Sequence, residues 1–172
     1  WSANNPFLKG LYYRSFYQIT VANDFIRQSS DAKLAERGIS GADADNIRKY
    51  RAEARFLRAL MYFNLVRIYG DVPLVVDIIN NPQEGYKYGR ETTVKVYDQI
   101  IADLTQAETL LTGKTRASKE RIDVSVVRGF RARAALVMED WATAATYAKN
   151  ARTGYTLMSN TVYQSRSGFS SI

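Results

Sequence analysis

The sequence predicts an all-α protein built from antiparallel helix pairs stacked as an α-α superhelix, with a long irregular loop around residues 70–91. Three observations carry that expectation. Only three prolines and ten glycines occur in 172 residues, and none lies between Asp43 and Gly70. Apolar residues recur at spacings of three and four in several separate stretches, which is the period of an amphipathic helix. The last two of these stretches are lined with alanine. Hydrophobic residues at 46% and charged residues at 24% are globular values. A chain of this length encloses one core of ordinary size, so residues 1–172 read as a single domain.

The first helix is expected over Leu11–Gln28, where Tyr13, Phe16, Tyr17 and Ile19 cluster at helical spacing. Gly38 and Gly41 mark a short polar loop, and Asp43 or Asp45 suits the N-cap of the next helix. That helix, Asp45–Tyr69, is the longest; it stops at Gly70-Asp71-Val72-Pro73, where Gly permits a left-handed cap and Pro cannot continue. Leu74-Val75-Val76 suggests a short extended stretch, followed by loop at Asn80-Asn81-Pro82, Gly85 and Gly89. Thr92 or Thr93 opens a third helix with Tyr97, Ile100, Ile101, Leu104, Ala107 and Leu111 on one face. A basic connection over 113–120 leads to a fourth helix, Asp123–Met138. Glu139-Asp140 turns into a fifth, Trp141–Arg152, ended by Gly154, and the serine-rich tail from Ser159 reads as loop. Ala132, Ala135, Ala144, Ala148 and Ala151, with Trp141 after the turn, have the spacing of a tetratricopeptide unit: small residues let two helices approach closely while one aromatic fills the gap.

Composition removes several function classes. Cysteine and histidine are both absent. Disulfide frameworks, thiolate metal sites, cysteine nucleophiles and the usual neutral-pH general base are therefore missing. Catalysis is not expected, nor is any cofactor or metal. Asp43-Ala-Asp45 lacks the Gly-rich, oxygen-bearing continuation of a calcium loop and is better explained by helix capping. No run of apolar residues is long enough to span a membrane. The chain opens at Trp1 with neither an initiator Met nor a leader-like segment, and reads as a processed protein or a piece of one.

The net charge of +7 rests mainly on 16 arginines. On the long helix, Arg48, Arg51, Arg55, Arg58, Tyr62 and Tyr69 fall within one narrow arc at ~100° per residue. Cations interleaved with rings are what single-stranded nucleic acid requires. The favoured reading is instead an arginine face lying against acidic residues of a neighbouring helix, with no nucleic acid as partner. Phe56, Leu57, Leu60 and Ile68 form the opposite face, together with Glu53 and Asn64. A carboxylate among apolar groups needs a cation, and Arg128 or Arg131 is the expected partner of Glu53.

The run Arg51–Val76, RAEARFLRALMYFNLVRIYGDVPLVV, closely resembles the signature helix and turn of the SusD/RagB family. ITVANDF from Ile19, VYDQIIADLTQA from Val96, and Arg128–Tyr155 with its Asp140-Trp141 step resemble further stretches of the same family in order and spacing. The resemblance implies a non-enzymatic lipoprotein on the cell surface of a Gram-negative outer membrane. Such a protein captures an oligosaccharide or other large nutrient and delivers it to a SusC-like TonB-dependent transporter. Helical repeats would serve as scaffold and transporter contact. Family members are longer, and the lipid-anchor region and the irregular C-terminal lobe are not expected within these residues.

Ligand sites in such proteins combine ring stacking with hydrogen bonds to hydroxyls. Trp1, as a platform, with Asn4 and Asn5 is the first candidate, although a plain surface loop before the first helix has the same composition. Tyr86 and Tyr88 in the loop after the signature are the second. Glu53, Arg55, Asn64, Gly70, Asp71 and Pro73 occupy signature positions and are read as structural. A competing reading, from the alanine seam and the arginine stripe, is a tetratricopeptide-type adaptor that binds peptide or nucleic acid.

Overall fold

The structure is a computed structural model that describes residues 5–79, 81, 83, 88–157 and 159–165. Its elements are α1 (Pro6–Gln28), α2 (Asp31–Glu36), α3 (Gly41–Tyr69), β1 (Val72–Pro73), β2 (Arg90–Glu91), α4 (Thr93–Leu111), α5 (Val124–Val137), α6 (Trp141–Ala151) and α7 (Asn160–Ser165). The expected all-α architecture is present. Helix α3 lies at the centre, between α1 and α4, while α5 packs on α4 and α6 on α5. The two strands form one short antiparallel ribbon, Val72 opposite Glu91 and Pro73 opposite Arg90.

Helix ends follow local chemistry closely, and they move several expected boundaries. Asn5 caps α1, its side chain accepting from the N–H groups of Phe7 and Leu8, and Pro6 fits the first turn, where no N–H partner is needed. The helix therefore begins before Leu11. Between Gln28 and Gly41 the chain forms α2 rather than an open loop: Ser30 accepts from the N–H of Lys33, Asp31 sits in the first turn, and Leu34 is buried. Helix α3 starts at Gly41 with Ser40 at the cap, so Asp43 lies inside the first turn and neither aspartate is the N-cap. Thr92, Asp123 and Asp140 cap α4, α5 and α6. Gly70 ends α3 at φ 70°, a conformation that a side chain strains. The ribbon uses Val72–Pro73, so Leu74-Val75-Val76 is not a strand, and α7 occupies part of the tail expected to be loop.

The orientation of α3 reverses one expectation. Ala52, Phe56, Ala59, Tyr62, Phe63 and Val66 are buried, and Arg51 and Arg58 are buried among them. Leu57 and Ile68, assigned to the apolar face, are 51% and 43% exposed. The arginine stripe thus lies inside the core-facing arc, its stems covering apolar surface and its guanidiniums meeting partners. Around it runs a chain of rings. Tyr12 packs edge-on to Tyr69, Phe16 on Tyr62, and Phe130 on both Phe56 and Phe63. Helix α4 adds Val96, Ile100, Leu104, Ala107 and Leu111, all buried. In the α5–α6 pair Ala132, Ala135 and Ala144 are buried, but Ala148 and Trp141 face outward, so Trp141 does not fill the gap between the helices.

Core and surface leucine-type residues should therefore separate sharply. Ile100→Ala is expected to cost about 2–5 kcal/mol, and Leu57→Ala less than about 1 kcal/mol, in urea unfolding of the purified protein.

Candidate functional site

Asp103 sits among the apolar residues of α4 with no exposed surface. It accepts from Arg58 twice, Nε at 2.8 Å to Oδ2 and Nη2 at 2.6 Å to Oδ1, and from Arg55 Nη1 at 3.0 Å. A planar fork on both carboxylate oxygens is the geometry in which a buried ion pair recovers its desolvation cost. Arg58 continues inward. Its Nη1 donates to Asn23 Oδ1 on α1 at 2.7 Å and to the carbonyl of Val76 at 3.0 Å.

The segment 75–77 has no strand partner, yet it lies against the core, so side chains supply its hydrogen bonds. Asn23 Nδ2 donates to the carbonyls of Val75 and Asp77, each at 3.0 Å. The Tyr62 hydroxyl donates to the Val75 carbonyl at 2.8 Å and accepts from the Val75 N–H at 2.7 Å. One phenol thereby imitates a strand neighbour. Burial pushes the Tyr62 phenol well above the usual tyrosine range, against the opposing effects of the Val75 hydrogen bond and the Arg58 charge. Tyr88, on the return limb of the loop, lies close enough to influence Tyr62 electrostatically and is 39% exposed.

At the end of the α1–α3 pair the Tyr69 hydroxyl donates to the Leu8 carbonyl at 2.5 Å, Tyr12 stacks edge-on against Tyr69, and the Arg90 charge acts on the Tyr12 phenol. Arg90 of β2 thus lies within electrostatic range of the second turn of α1. Of the expected ligand residues, Asn5 and Tyr88 fall on these two limbs, and Asn5 Oδ1 is engaged as the α1 cap. Trp1, Asn4 and Tyr86 lie outside the described residues.

The remaining arginines of the stripe are held too. Arg51 reaches the Ser29 carbonyl and Asp31, and Arg48 reaches Asp31 and Asp45. Arg51, Arg58 and Tyr62 are buried, so these members of the stripe face the core. Glu53 pairs with Arg121, whose guanidinium also lies 4.8 Å from the Tyr50 ring centroid. Arg128 and Arg131 are unavailable to it, because both are bound to Glu108 on α4. Arg55 joins Asp103; Gly70 caps α3; the Asp71 carboxylate accepts from the N–H and hydroxyl of Thr93 at the start of α4; Asn64 and Pro73 are half-buried. Sequence reasoning missed Asp103, Asn23 and the clamp role of Tyr62. The signal for Asp103 was present: a carboxylate between Ile100 and Leu104, on the apolar face of its helix, demands a cation.

Helical architecture of this kind is shared with known proteins. Residues 6–136 match the SusD-like family described as "Starch-binding associating with outer membrane". The chain belongs to that SusD-like family. It is 27% identical over 110 residues to SusD-like protein P2 of Formosa agariphila, a match covering 59% of this chain and 22% of that protein. A SusD homologue of Bacteroides thetaiotaomicron superposes with a TM-score of 0.78 at 25% identity, over 92% of this chain and 32% of its own. A protein solved with xylogluco-oligosaccharide gives 0.73 at 25% identity, over 92% and 32%. The chain thus spans about a fifth to a third of the length of these relatives.

Removing the buried anion should unfold more than it unties. Asp103→Ala is expected to cost about 3–5 kcal/mol, because Arg58 is left buried and unpaired, whereas Glu53→Gln, beside a part-exposed Arg121, should cost about 1 kcal/mol or less in the same denaturation assay. Alkaline stability supplies a second check. Burial raises the phenols of Tyr12, Tyr62 and Tyr97. An unfolded tyrosine loses its proton near pH ~10, so the unfolded state binds fewer protons above that pH and stability falls there, while remaining level below it. Urea midpoints at pH ~8 and ~10.5 should differ, and less so in Tyr62→Phe.

Proposed function

We propose that this chain is part of a non-enzymatic, cell-surface glycan-capture protein of a Gram-negative outer membrane, which delivers its ligand to a SusC-like TonB-dependent transporter. Its helices serve as scaffold and transporter contact, and a lipid anchor outside these residues holds the protein to the membrane. Family membership supports outer-membrane association, and the relative solved with xylogluco-oligosaccharide supports a carbohydrate ligand. Among the described residues no helix is long and apolar enough to cross a membrane.

One observation supports the reading: the loop after α3 is fastened to the core by Asn23, Arg58 and Tyr62, and its return limb passes within electrostatic range of Tyr62 at Tyr88 and of Tyr12 of α1 at Arg90. Two limbs far apart in sequence then border one ligand surface. Trp1 and Tyr86 supply rings for the apolar faces of pyranoses, and Asn4 reaches hydroxyls. Asn5 contributes by fixing where α1 begins. Rigid elements hold a site more precisely than free loops do, which is the use of the clamp.

Affinity electrophoresis of the natural full-length protein against a panel of polysaccharides tests this directly. Retardation by at least one glycan is expected, with Tyr88→Ala weakening it up to roughly tenfold, about the worth of one stacked ring. Absence of retardation by every glycan, with no transporter co-purifying from membranes, would overturn the reading.

A further inference from the structure

Arg51, Arg55 and Arg58 follow one another along α3, and the carboxylates opposite do not match them in number. Arg55 and Arg58 share the single Asp103. Arg51 shares Asp31 with Arg48, while Asp45 is divided between Arg48 and Lys114. Among the described residues five cations thus share three carboxylates. Arg55 shows the surplus most plainly. Among the described residues only its Nη1 has a partner, and its Nε is buried with none. A donor left unanswered away from water is costly, so this guanidinium is short of acceptors. Burial pulls the Arg55 guanidinium below the usual arginine range despite Asp103, and the Arg58 and Arg51 charges push the same way.

An open cleft of about 360 Å³ lies against these groups. Arg51 and Arg55 line it from α3, Gln106 from α4, and Ser30 and Asp31 from the start of α2. Arg51 is only 7% exposed and is held by the Ser29 carbonyl and Asp31, so its guanidinium is a fixed charge in the wall. Gln106 is exposed, and its carboxamide has no partner among the described residues. The Ser30 oxygen accepts from the Lys33 N–H, which leaves the hydroxyl proton to donate. Asp31, the one carboxylate of the lining, has both oxygens engaged by Arg48 and Arg51, which offsets its charge. Two guanidiniums, a carboxamide and a hydroxyl from three helix segments therefore line one space. Donors spread over separate elements suit an anion with oxygens in several directions, whereas a single fork matches a planar carboxylate.

We propose that Arg51, Arg55, Gln106 and Ser30 form a binding site for a tetrahedral oxyanion, sulfate or phosphate, held between α2, α3 and α4. Such an anion gives the Arg55 guanidinium a further acceptor, offsets the surplus charge and ties the short helix α2 to the two long ones. The cleft is larger than a bare ion, so it admits the anion either free or as the ester of a small sugar. No described residue of the loop after α3 lines it, and the site does not depend on the glycan-capture reading.

Calorimetric titration of the natural full-length protein with sodium sulfate, sodium phosphate, glucose 6-sulfate and sodium acetate, at an ionic strength held constant with chloride, tests the site. Saturable binding of at least one of the first three is expected, tighter than that of acetate. Preference for the inorganic ion or for the ester tells which source the site takes, and either upholds it. The bound anion should also raise the melting temperature to a plateau as the site fills, unlike the steady rise that salt exclusion produces. Gln106→Glu sets a carboxylate in the lining at an exposed position, and Arg55→Gln removes a charge. Each should weaken anion binding about tenfold or more. Thermal melts show which variants fold; where Arg55→Gln does not, Gln106→Glu alone decides. Binding that is equal in the unaltered protein and Gln106→Glu overturns the site. Absence of saturable binding by sulfate, phosphate and the ester overturns it too, as does tighter binding of acetate. None of these outcomes bears on the glycan reading, which the polysaccharide panel decides separately.

Discussion

A single buried carboxylate organises this molecule. Asp103 draws Arg55 and Arg58 of α3 onto α4, and Arg58 in turn binds Asn23 of α1 and the Val76 carbonyl. Three helices and one loop thus share an electrostatic centre whose members cannot be removed singly without stranding a charge away from water. The apolar core alone would hold α3 against α4 in several rotational settings, since alanine and leucine contacts tolerate some sliding. A forked ion pair tolerates little, and it fixes the face that α3 turns inward.

That choice explains where sequence reading succeeded and where it failed. Some caps were readable because their chemistry is local: Thr92 needs only the N–H of Lys95 three residues on, and Gly70 only a positive φ. The clean apolar period of α4 gave its buried face directly. On helix α3 the arginine stripe met acidic neighbours as expected, and only the placing of Leu57 and Ile68 on a buried face failed. Leu57 and Ile68 carry more apolar weight than arginine does, yet they lie outward, since the partners of the arginines are on α1, α2 and α4. Such partners are 17 to 48 residues away and invisible to any periodic pattern. The short helix α2 escaped for a related reason: a six-residue element has no period to detect, only the cap Ser30 and one buried residue, Leu34.

The candidate site was legible in part. The resemblance of Arg51–Val76 to a known signature located the helix and the turn, and the site chemistry it implies is what singled out Tyr88 and Asn5 as candidates. What composition did not reveal is that Asn5 has a prior engagement as a helix cap, or that Asn23 and Tyr62 serve the backbone of 75–77. Side chains satisfying an irregular segment leave no regular trace in sequence, because the segment itself has none.

The manner in which the loop after α3 is tied has an evolutionary reading. Its outgoing limb is stapled by Asn23, Arg58 and Tyr62, and its incoming limb by the ribbon between Val72–Pro73 and Arg90–Glu91. Everything between Asp77 and Arg90 is consequently a cassette with both ends clipped to the frame. Lengthening such a cassette adds only a slowly growing closure cost, and its composition can drift without disturbing the helices. A lineage can rewrite this stretch while α3 and α4 stay as they are.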